Sequence, residues 1–403
     1  MGARMQNKDS SKSDGISSSQ VKTITSAQIV TAESVQAEEV PTIPLGSMQT
    51  ISALQPEVAI HAITSTQVVR LPAPLIVHPS EYHRGLGEWL HIWLNGMRPA
   101  YLPLSFLPVL LGSVLAWTQS ITVATPRGIF HPQRFVATLL AVVFLQIGAH
   151  LINDYYDYLR GIDTSNALGP GGLIQQGLIK PVRVLTIGML MLALGAMFGL
   201  LASLAGGALI FAFALLGLLC AYFYSATSRS LSSLTLGELV SLLLFGPVLT
   251  AAAYMVQTGH IDRIVLVYSL PLGLLAAAFI HLNNMRDAES DAQAGKRTLA
   301  ALFDLRLSRV LYVLLLLGAY APILALGIPR HAPHLLLITL WTLPGLVVLI
   351  SGVLRTDSPA SLHLHMQKTL KLEVAFTLLL LVALVVSTYL ALMPHLPSFG
   401  LPF

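Results

Sequence analysis

The chain has 403 residues, of which 54% are hydrophobic and only 10% charged, and its formal net charge is +4. A soluble domain carries roughly 25% charged residues, so this composition excludes a soluble protein and indicates an integral membrane protein. The single cysteine, Cys220, excludes an intramolecular disulfide and a cysteine-ligated metal site. The basic residues are scattered along the chain, and this distribution does not predict a nucleic-acid partner.

The N-terminal part of the chain differs from the rest. Residues 1–80 are rich in Ser, Thr, Gln, Ala and Val and show no sustained helical or alternating period. Such a segment cannot bury enough apolar surface to offset the entropy of ordering, so we expect a disordered or loosely ordered tail. Residues 85–97 place leucines and tryptophans on one helical face. They predict an amphipathic helix that either lies in the membrane interface or packs on protein.

From residue 98 to residue 393 the chain consists of apolar runs of roughly 20 residues, the length that spans a ~30 Å hydrocarbon core. This pattern predicts an all-α membrane bundle of nine transmembrane helices. The runs lie at about 98–118, 135–158, 184–204, 207–225, 236–257, 264–285, 308–327, 334–354 and 372–393.

The distribution of Lys and Arg predicts the orientation of this bundle. If the N-terminus is cytoplasmic, the cytoplasmic segments of the bundle hold fourteen Lys and Arg residues and the opposite side holds four. The positive-inside rule therefore predicts a cytoplasmic N-terminus. Two acid-rich stretches then fall on the cytoplasmic face, after the second and the sixth runs. We expect a multi-pass protein of the cell (plasma) membrane with its active site on that face.

The two acid-rich stretches share a pattern, which resembles a weak internal repeat. In each, a His-Leu pair precedes an Asn-x-x-x-Asp unit, which runs from Asn153 to Asp157 in the first and from Asn283 to Asp287 in the second. On a helix, residues three and four apart share a face. The spacing therefore also places Asp154 on the face of Asp157, and Asp291 on the face of Asp287.

Carboxylates at the ends of membrane helices are costly and usually face a polar cavity or one another. Two facing clusters repel unless a cation lies between them, and oxygen ligands suit Mg²⁺, which binds one or two carboxylates plus phosphate oxygens. Arg160, Lys180, Arg286, Lys296 and Arg297 flank the clusters. Acids, a metal and basic residues together favour a diphosphate site, although either cluster could also be a solvated helix end. A cation-coupled transporter is the alternative class, but transporters place such groups near the bilayer midplane.

These residues resemble the UbiA superfamily of intramembrane prenyltransferases over about residues 90–393. Three segments are most similar to the MenA-type 1,4-dihydroxy-2-naphthoate polyprenyltransferases. They are Asn153-Asp154-x-x-Asp157-x-x-x-Gly161-x-Asp163, Gly169-Pro170-Gly171-Gly172-x-Ile174-Gln175-x-Gly177-Leu178 and Asn284-x-Arg286-Asp287-x-x-x-Asp291-x-x-x-Gly295-Lys296-Arg297-Thr298. At Gly161 many members of the superfamily carry a third acid, whereas here Asp163 follows two residues later.

The resemblance implies transfer of a polyprenyl group from polyprenyl diphosphate to 1,4-dihydroxy-2-naphthoate, with release of diphosphate and CO₂ and with Mg²⁺ as cofactor. The lipid bilayer is the expected environment, and no obligate protein partner is expected. The alternative acceptors are 4-hydroxybenzoate, homogentisate, a porphyrin and a lipid.

The resemblance also implies roles for individual residues. The predicted catalytic residues are Asp157, Asp287 and Asp291. The predicted metal ligands are Asp154, Asp157, Asp287 and Asp291. The predicted substrate-binding residues are Asn153, Arg160, Lys180, Arg229, Asn284, Lys296 and Arg297. Glu238 is either a further site residue or a structural one, and His150 and His281 are either buried structural histidines or acid–base groups.

Overall fold

The computed structural model describes residues 85–122, 125, 127–161, 171–227, 230–330 and 333–392. The predicted tail of residues 1–80, Asp163 and Arg229 lie outside these described residues. Within the described part, the regular elements are helices. The α-helices are α1 (Leu86–Met97), α2 (Pro103–Ser120), α3 (Pro132–Leu159), α4 (Pro181–Gly206), α5 (Ala208–Phe223), α6 (Gly237–Leu243), α7 (Leu249–Thr258), α8 (Arg263–Arg286), α9 (Ala288–Gln293), α10 (Leu299–Leu302), α11 (Leu305–Gly318), α12 (Ala321–Gly327), α13 (Leu343–Arg355) and α14 (Pro359–Leu392).

Seven helices in the described residues are long and apolar enough to cross a membrane, and the chain is a multi-pass membrane protein. The number is eight if the bent pair Leu86–Tyr101 and Pro103–Ser120, with 49° between its halves, forms one span. The predicted runs lie on helical segments, and the runs 236–257, 308–327 and 334–354 each cover more than one segment. The helix of the fourth run, α5, has only 16 residues. The count of nine spans and the cytoplasmic N-terminus therefore stay predictions.

Helix α8 is the central helix of the bundle. Two thirds of its apolar window (67%) is buried, against 28–44% for the other spans. Leu272, Leu275 and Leu282 of α8 pack with Tyr312 and Phe376 in the largest core cluster. By contrast, Leu204 of α4 and Phe211 of α5 are exposed, as expected for side chains that face lipid.

A π-helix at Leu244–Val248 joins α6 to α7. Pro247 lies in this segment and has no backbone N–H to donate, which the π-turn accommodates. Gly246 lies so close to Gly273 of α8 that a Cβ at Gly246 would be 2.9 Å from the Gly273 Cα. Small residues allow this close approach of helices in membranes, and here they bring α6 against the second half of α8.

Candidate active site

The first acid-rich motif forms the end of α3. Asp154 and Asp157 are buried there, with 3% and 7% of their surface exposed. The Asn153 side-chain amide donates a hydrogen bond to Asp157 Oδ2, the contact that an i, i+4 spacing on a helix allows. The predicted shared face is therefore present.

Asp154 forms an ion pair with Arg98, which lies 56 residues earlier in the chain. Arg98 ends α1 in the left-handed conformation, with φ of 52°, and Pro99 follows it. A left-handed conformation costs a non-glycine residue energy, and such residues are found where the surrounding structure holds them for function. The sequence does not reveal this pair, because Arg98 enters only the count of cytoplasmic basic residues and no local spacing connects it to Asp154.

The glycine-rich segment after the first motif packs against Arg98. Gly171 has φ of +112°, and any side chain there would collide with the Arg98 guanidinium. Leu173 and Ile174 are buried in a cluster with Leu151 of α3, against which Trp89 and Trp93 of α1 also pack. The segment therefore fixes the end of α1 beside the first motif.

Arg160 is held at the end of α3 by several partners. Its guanidinium lies 3.5 Å from Asp157 Oδ1 and donates to the backbone oxygens of Ser225, at 2.5 Å, and Thr227. It thus ties α3 to the segment that follows α5. Its predicted contact with phosphate stays a prediction.

The second motif begins at the end of α8. Arg286 donates from Nε to Asp287 Oδ1 at 2.7 Å and from Nη2 to Asp287 Oδ2 at 2.5 Å. Arg286 Nη2 also donates to Asn283 Oδ1 at 3.0 Å, and Asn283 Nδ2 lies 3.5 Å from Asp287 Oδ2. One guanidinium therefore clamps both members of the second Asn-x-x-x-Asp unit.

Asp291 and Lys296 form the last ion pair of the second motif. Asp291 is 1% exposed, and Lys296 Nζ lies 3.2 Å from its Oδ1. The chain folds back after α9 because Gly295 adopts φ of +73° and the Lys296 amide donates to the Asp291 carbonyl at 2.8 Å. Burial raises the pKa of Asp291 to about 6, although Lys296 acts in the opposite direction.

The two motifs lie together, since Asn153 and Asn283 line the same cavity. Burial alone would lower the pKa of Lys296, but Asp291 and then Asp157 hold that pKa above its ordinary value. Lys296 therefore interacts with a carboxylate from each motif. The arrangement joins the ends of α3 and α8 in one charged site, as the repeat predicts.

Several predicted residues lie apart from these ion pairs. Asn284 is buried and donates to Glu238 Oε1 at 3.0 Å, so it faces α6. His281 is fully buried between Glu238 Oε1, at 2.9 Å, and the Ser308 carbonyl, at 3.0 Å. Both ring nitrogens of His281 therefore face oxygen atoms that can accept a hydrogen bond. Lys180 and Arg297 are exposed.

The described residues hold no group of three or more His, Cys, Asp or Glu that could bind a metal by itself. The chain also supplies cations of its own to the two clusters, and the use of Mg²⁺ stays a prediction. Arg98, Arg160, Arg286 and Lys296 each pair with one of the four aspartates. Asp291 Oδ2 is nevertheless buried without a hydrogen-bond partner in the described part. This donor set suits Mg²⁺ that is bound by one or two carboxylates together with phosphate oxygens.

A cavity of about 170 Å³ adjoins the two motifs. Asn153 and Asn283, the first residues of the two Asn-x-x-x-Asp units, both line it. Its other walls include the rings of Tyr101, Phe245 and Phe279. The site thus has a charged part at the helix ends and an aromatic-lined cavity beside it.

Known proteins resemble the chain over most of its length. The sequence pattern of the UbiA prenyltransferase family matches residues 105–372. The chain is 32% identical, over 83% of its own length and 88% of the relative's, to the UbiA prenyltransferase domain-containing protein 1 homolog of Drosophila melanogaster. It is 28% identical, over 72% of its length and 91% of the relative's, to the 1,4-dihydroxy-2-naphthoate octaprenyltransferase of Bacillus subtilis (strain 168).

A solved structure of a UbiA homolog from Archaeoglobus fulgidus, bound to DMAPP and Mg²⁺, superposes with a TM-score of 0.49 at 18% sequence identity. The superposition covers 72% of this chain and 99% of that one.

Proposed function

Because the chain belongs to the UbiA prenyltransferase family, we propose that it transfers a polyprenyl group from polyprenyl diphosphate to 1,4-dihydroxy-2-naphthoate, with release of diphosphate and CO₂. The chain is a membrane prenyltransferase, and the proposal concerns its substrates, its metal and its side of the membrane. The observation that carries it is that two Asn-x-x-x-Asp units, each with a buried aspartate and its own basic partner, lie beside one aromatic-lined cavity.

The charged part of the site is suited to a diphosphate leaving group. Cleavage of the allylic C–O bond leaves a cation on the prenyl group and additional negative charge on the diphosphate. Positive groups that are fixed before the reaction stabilise this charge as it develops. Lys296 is the best placed of them, since it interacts with Asp157 and Asp291 from opposite motifs.

Asp154, Asp157, Asp287 and Asp291 are the residues that would hold Mg²⁺ together with the diphosphate. Bound there, Mg²⁺ would supply Lewis-acid stabilisation of the phosphate oxygens. The orphaned Oδ2 of Asp291 supports this assignment, because a buried carboxylate oxygen without a partner is costly unless a ligand completes it.

The cavity is suited to the acceptor and to the protection of the allylic cation. Tyr101 and Phe279 meet edge to face, with ring centroids 5.2 Å apart, and provide a wall that excludes water from the reacting carbon. Tyr224 also lines the cavity, and its phenol carries a proton near neutral pH. It can therefore donate a hydrogen bond to a bound ligand.

Naphthoate is proposed as the acceptor on the strength of relatives whose names give that activity. Besides the Bacillus subtilis protein, they include the 1,4-dihydroxy-2-naphthoate octaprenyltransferase of Mycobacterium tuberculosis, which is 32% identical over 63% of this chain. The positive-inside distribution supports an active site that faces the cytoplasm. The plasma membrane stays the predicted location.

The test is a product assay on the detergent-purified protein. It receives a polyprenyl diphosphate and Mg²⁺ with 1,4-dihydroxy-2-naphthoate or, separately, with 4-hydroxybenzoate, and mass spectrometry identifies the product. The proposal predicts a prenylated, decarboxylated naphthoquinol that is lost when EDTA is added. Product from 4-hydroxybenzoate alone would reject the proposed acceptor, and turnover that persists in EDTA would reject the metal.

A further inference from the structure

We infer that Arg98 and His150 form the acceptor-binding end of the cavity, where they recognise an aromatic acid by its carboxylate and by a ring hydroxyl. The inference rests on the proposed prenyl transfer to an aromatic acceptor and names the two side chains that would select this acceptor. Arg98 lies outside the acid-rich motifs, whereas His150 begins the His-Leu pair that precedes the first of them, and no spacing in the sequence connects the two residues to each other.

The size of the cavity indicates a ring as its occupant. Its volume of about 170 Å³ is close to that of engineered apolar cavities of roughly 150 Å³ that bind benzene. His150 and Phe279 approach the Tyr101 ring edge-on, with centroids 6.2 Å and 5.2 Å from it. Aromatic rings favour such edge-to-face arrangements, so this wall suits a further flat ring.

Arg98 differs from the other three cations of the site in its position. It lines the cavity, whereas Arg160, Arg286 and Lys296 do not. The ion pair with Asp154 holds its guanidinium at the cavity wall, and Gly171 packs against the same guanidinium. A guanidinium binds a carboxylate through paired N–H donors. The charged group of the acceptor therefore has a positive partner within the cavity, separate from the cations beside Asp157, Asp287 and Asp291.

His150 contributes a polar group to the cavity wall beside Arg98. Its Nε2 is buried and has no hydrogen-bond partner in the described residues, although the side chain lines the cavity. The amide of Gln146, another lining residue, is already bonded to Ser105 and to the Tyr101 carbonyl. Asn153 is bonded to Asp157. An unpaired buried nitrogen is costly, and a phenolic hydroxyl of a bound acceptor would satisfy it.

The inference is tested by comparing two ligands that differ in the carboxylate alone. Dissociation constants of 1,4-dihydroxy-2-naphthoate and of 1,4-dihydroxynaphthalene are measured by calorimetry on the full chain in detergent. We expect Arg98→Gln to weaken the naphthoate by more than about tenfold, the loss expected for a charged hydrogen bond, and the naphthalenediol by less than about twofold. Equal weakening of both ligands would overturn the role of Arg98.

His150→Ala should weaken both ligands by a similar factor of about five to ten, because both carry ring hydroxyls. His150→Gln, whose amide nitrogen can replace Nε2, should restore most of the affinity. Unchanged affinity in His150→Ala, or a loss that Gln does not restore, would overturn the role of His150. Binding of a polyprenyl diphosphate to each variant shows whether the fold and the diphosphate site are intact.

The same variants separate this inference from the proposed function. If the wild-type protein binds 4-hydroxybenzoate and not the naphthoate, the proposed acceptor is wrong. The pair 4-hydroxybenzoate and phenol then replaces the naphthalene pair, with the same expected ratios. If the protein binds no aromatic acid, the inference itself is rejected, whatever product the enzyme makes.

Discussion

The two acid-rich motifs carry the same Asn-x-x-x-Asp unit but are neutralised in different ways. The second motif is paired by residues close in sequence, with Arg286 adjacent to Asp287 and Lys296 five residues after Asp291. In the first motif, Asp154 depends on Arg98, which lies 56 residues away on another helix. The second motif is therefore a local structure, whereas the first is complete only when α1 and the segment after α3 have packed.

The largest expected effect falls on both motifs alike. Asp157→Asn and Asp287→Asn should each lower turnover by a factor on the order of 10³ or more, because each removes a charge at the proposed diphosphate site. Turnover is measured by product formation in detergent. If one variant kept near wild-type turnover, its motif would not be part of the site.

Glu373→Gln is the matched control for these two variants. Glu373 is a fully buried carboxylate in α14, and neither of its oxygens has a hydrogen-bond partner in the described part of the chain. It does not line the cavity. Glu373→Gln also removes a buried acidic group, but it should leave turnover within about twofold of wild type because Glu373 lies away from the site. A large loss in this control would show that any buried acid in the bundle is needed for folding.

Two glycines sharpen the contrast between the motifs. Gly171 and Gly295 both have positive φ, but a Cβ at Gly171 would meet the Arg98 guanidinium, whereas a Cβ at Gly295 would meet nothing within 4 Å. Gly295→Ala should lower the free energy of unfolding by about 1–2 kcal/mol, the backbone strain alone. Gly171→Ala should add displacement of Arg98 and lower turnover by roughly tenfold more than Gly295→Ala does. Equal effects would mean that Arg98 does not depend on this segment.

The pH dependence of Mg²⁺ use tests the second motif. The pKa of Asp291 is raised to about 6 from its ordinary 3.8, so this carboxylate takes up a proton as the pH falls through 6. A protonated carboxyl is a poor ligand, so the Mg²⁺ concentration for half-maximal turnover should rise by about tenfold per pH unit below pH 6 and level off above it. A Mg²⁺ requirement that stays flat between pH 5 and pH 7 would exclude Asp291 as a ligand.

The smallest expected effects are those of the two asparagines. Asn283 lies 3.5 Å from Asp287, which already has two bonds to Arg286, so Asn283→Ala should lower turnover by no more than about threefold. Asn153 donates to Asp157, whose bond to Arg160 is long at 3.5 Å. Because Asp157 depends more on this asparagine, Asn153→Ala should lower turnover about tenfold. The reverse order would show that the first motif is the self-supporting one.

The sequence predicts those features of the site that belong to one helix, but not the contacts between segments that are distant in the chain. Apolar run length predicts the helices, and the i, i+4 spacing predicts that Asn153 and Asp157 share a face, because both are properties of one continuous helix. The pairing of Arg98 with Asp154 depends on a left-handed residue and on packing of a glycine-rich segment, and no periodicity encodes either.

The same limit explains the other differences. Asn284 is adjacent to Asn283 but points to Glu238, since neighbouring residues on a helix face different directions. Arg160 has the charge of a phosphate ligand, yet its donors reach backbone carbonyls of a distant segment. Composition and spacing give the residue types at a site, and packing decides which groups they meet.

The proposed site is tested most directly by asking whether the two motifs bind one diphosphate together. Binding of an unreactive prenyl thiolodiphosphate is measured by calorimetry, with and without Mg²⁺, on the wild-type chain, Asp157→Asn, Asp287→Asn and the Glu373→Gln control. We predict one Mg²⁺-dependent site, whose affinity falls by at least about tenfold in either motif variant and is unchanged in the control. Two independent sites, or binding that survives the loss of either motif, would contradict this prediction.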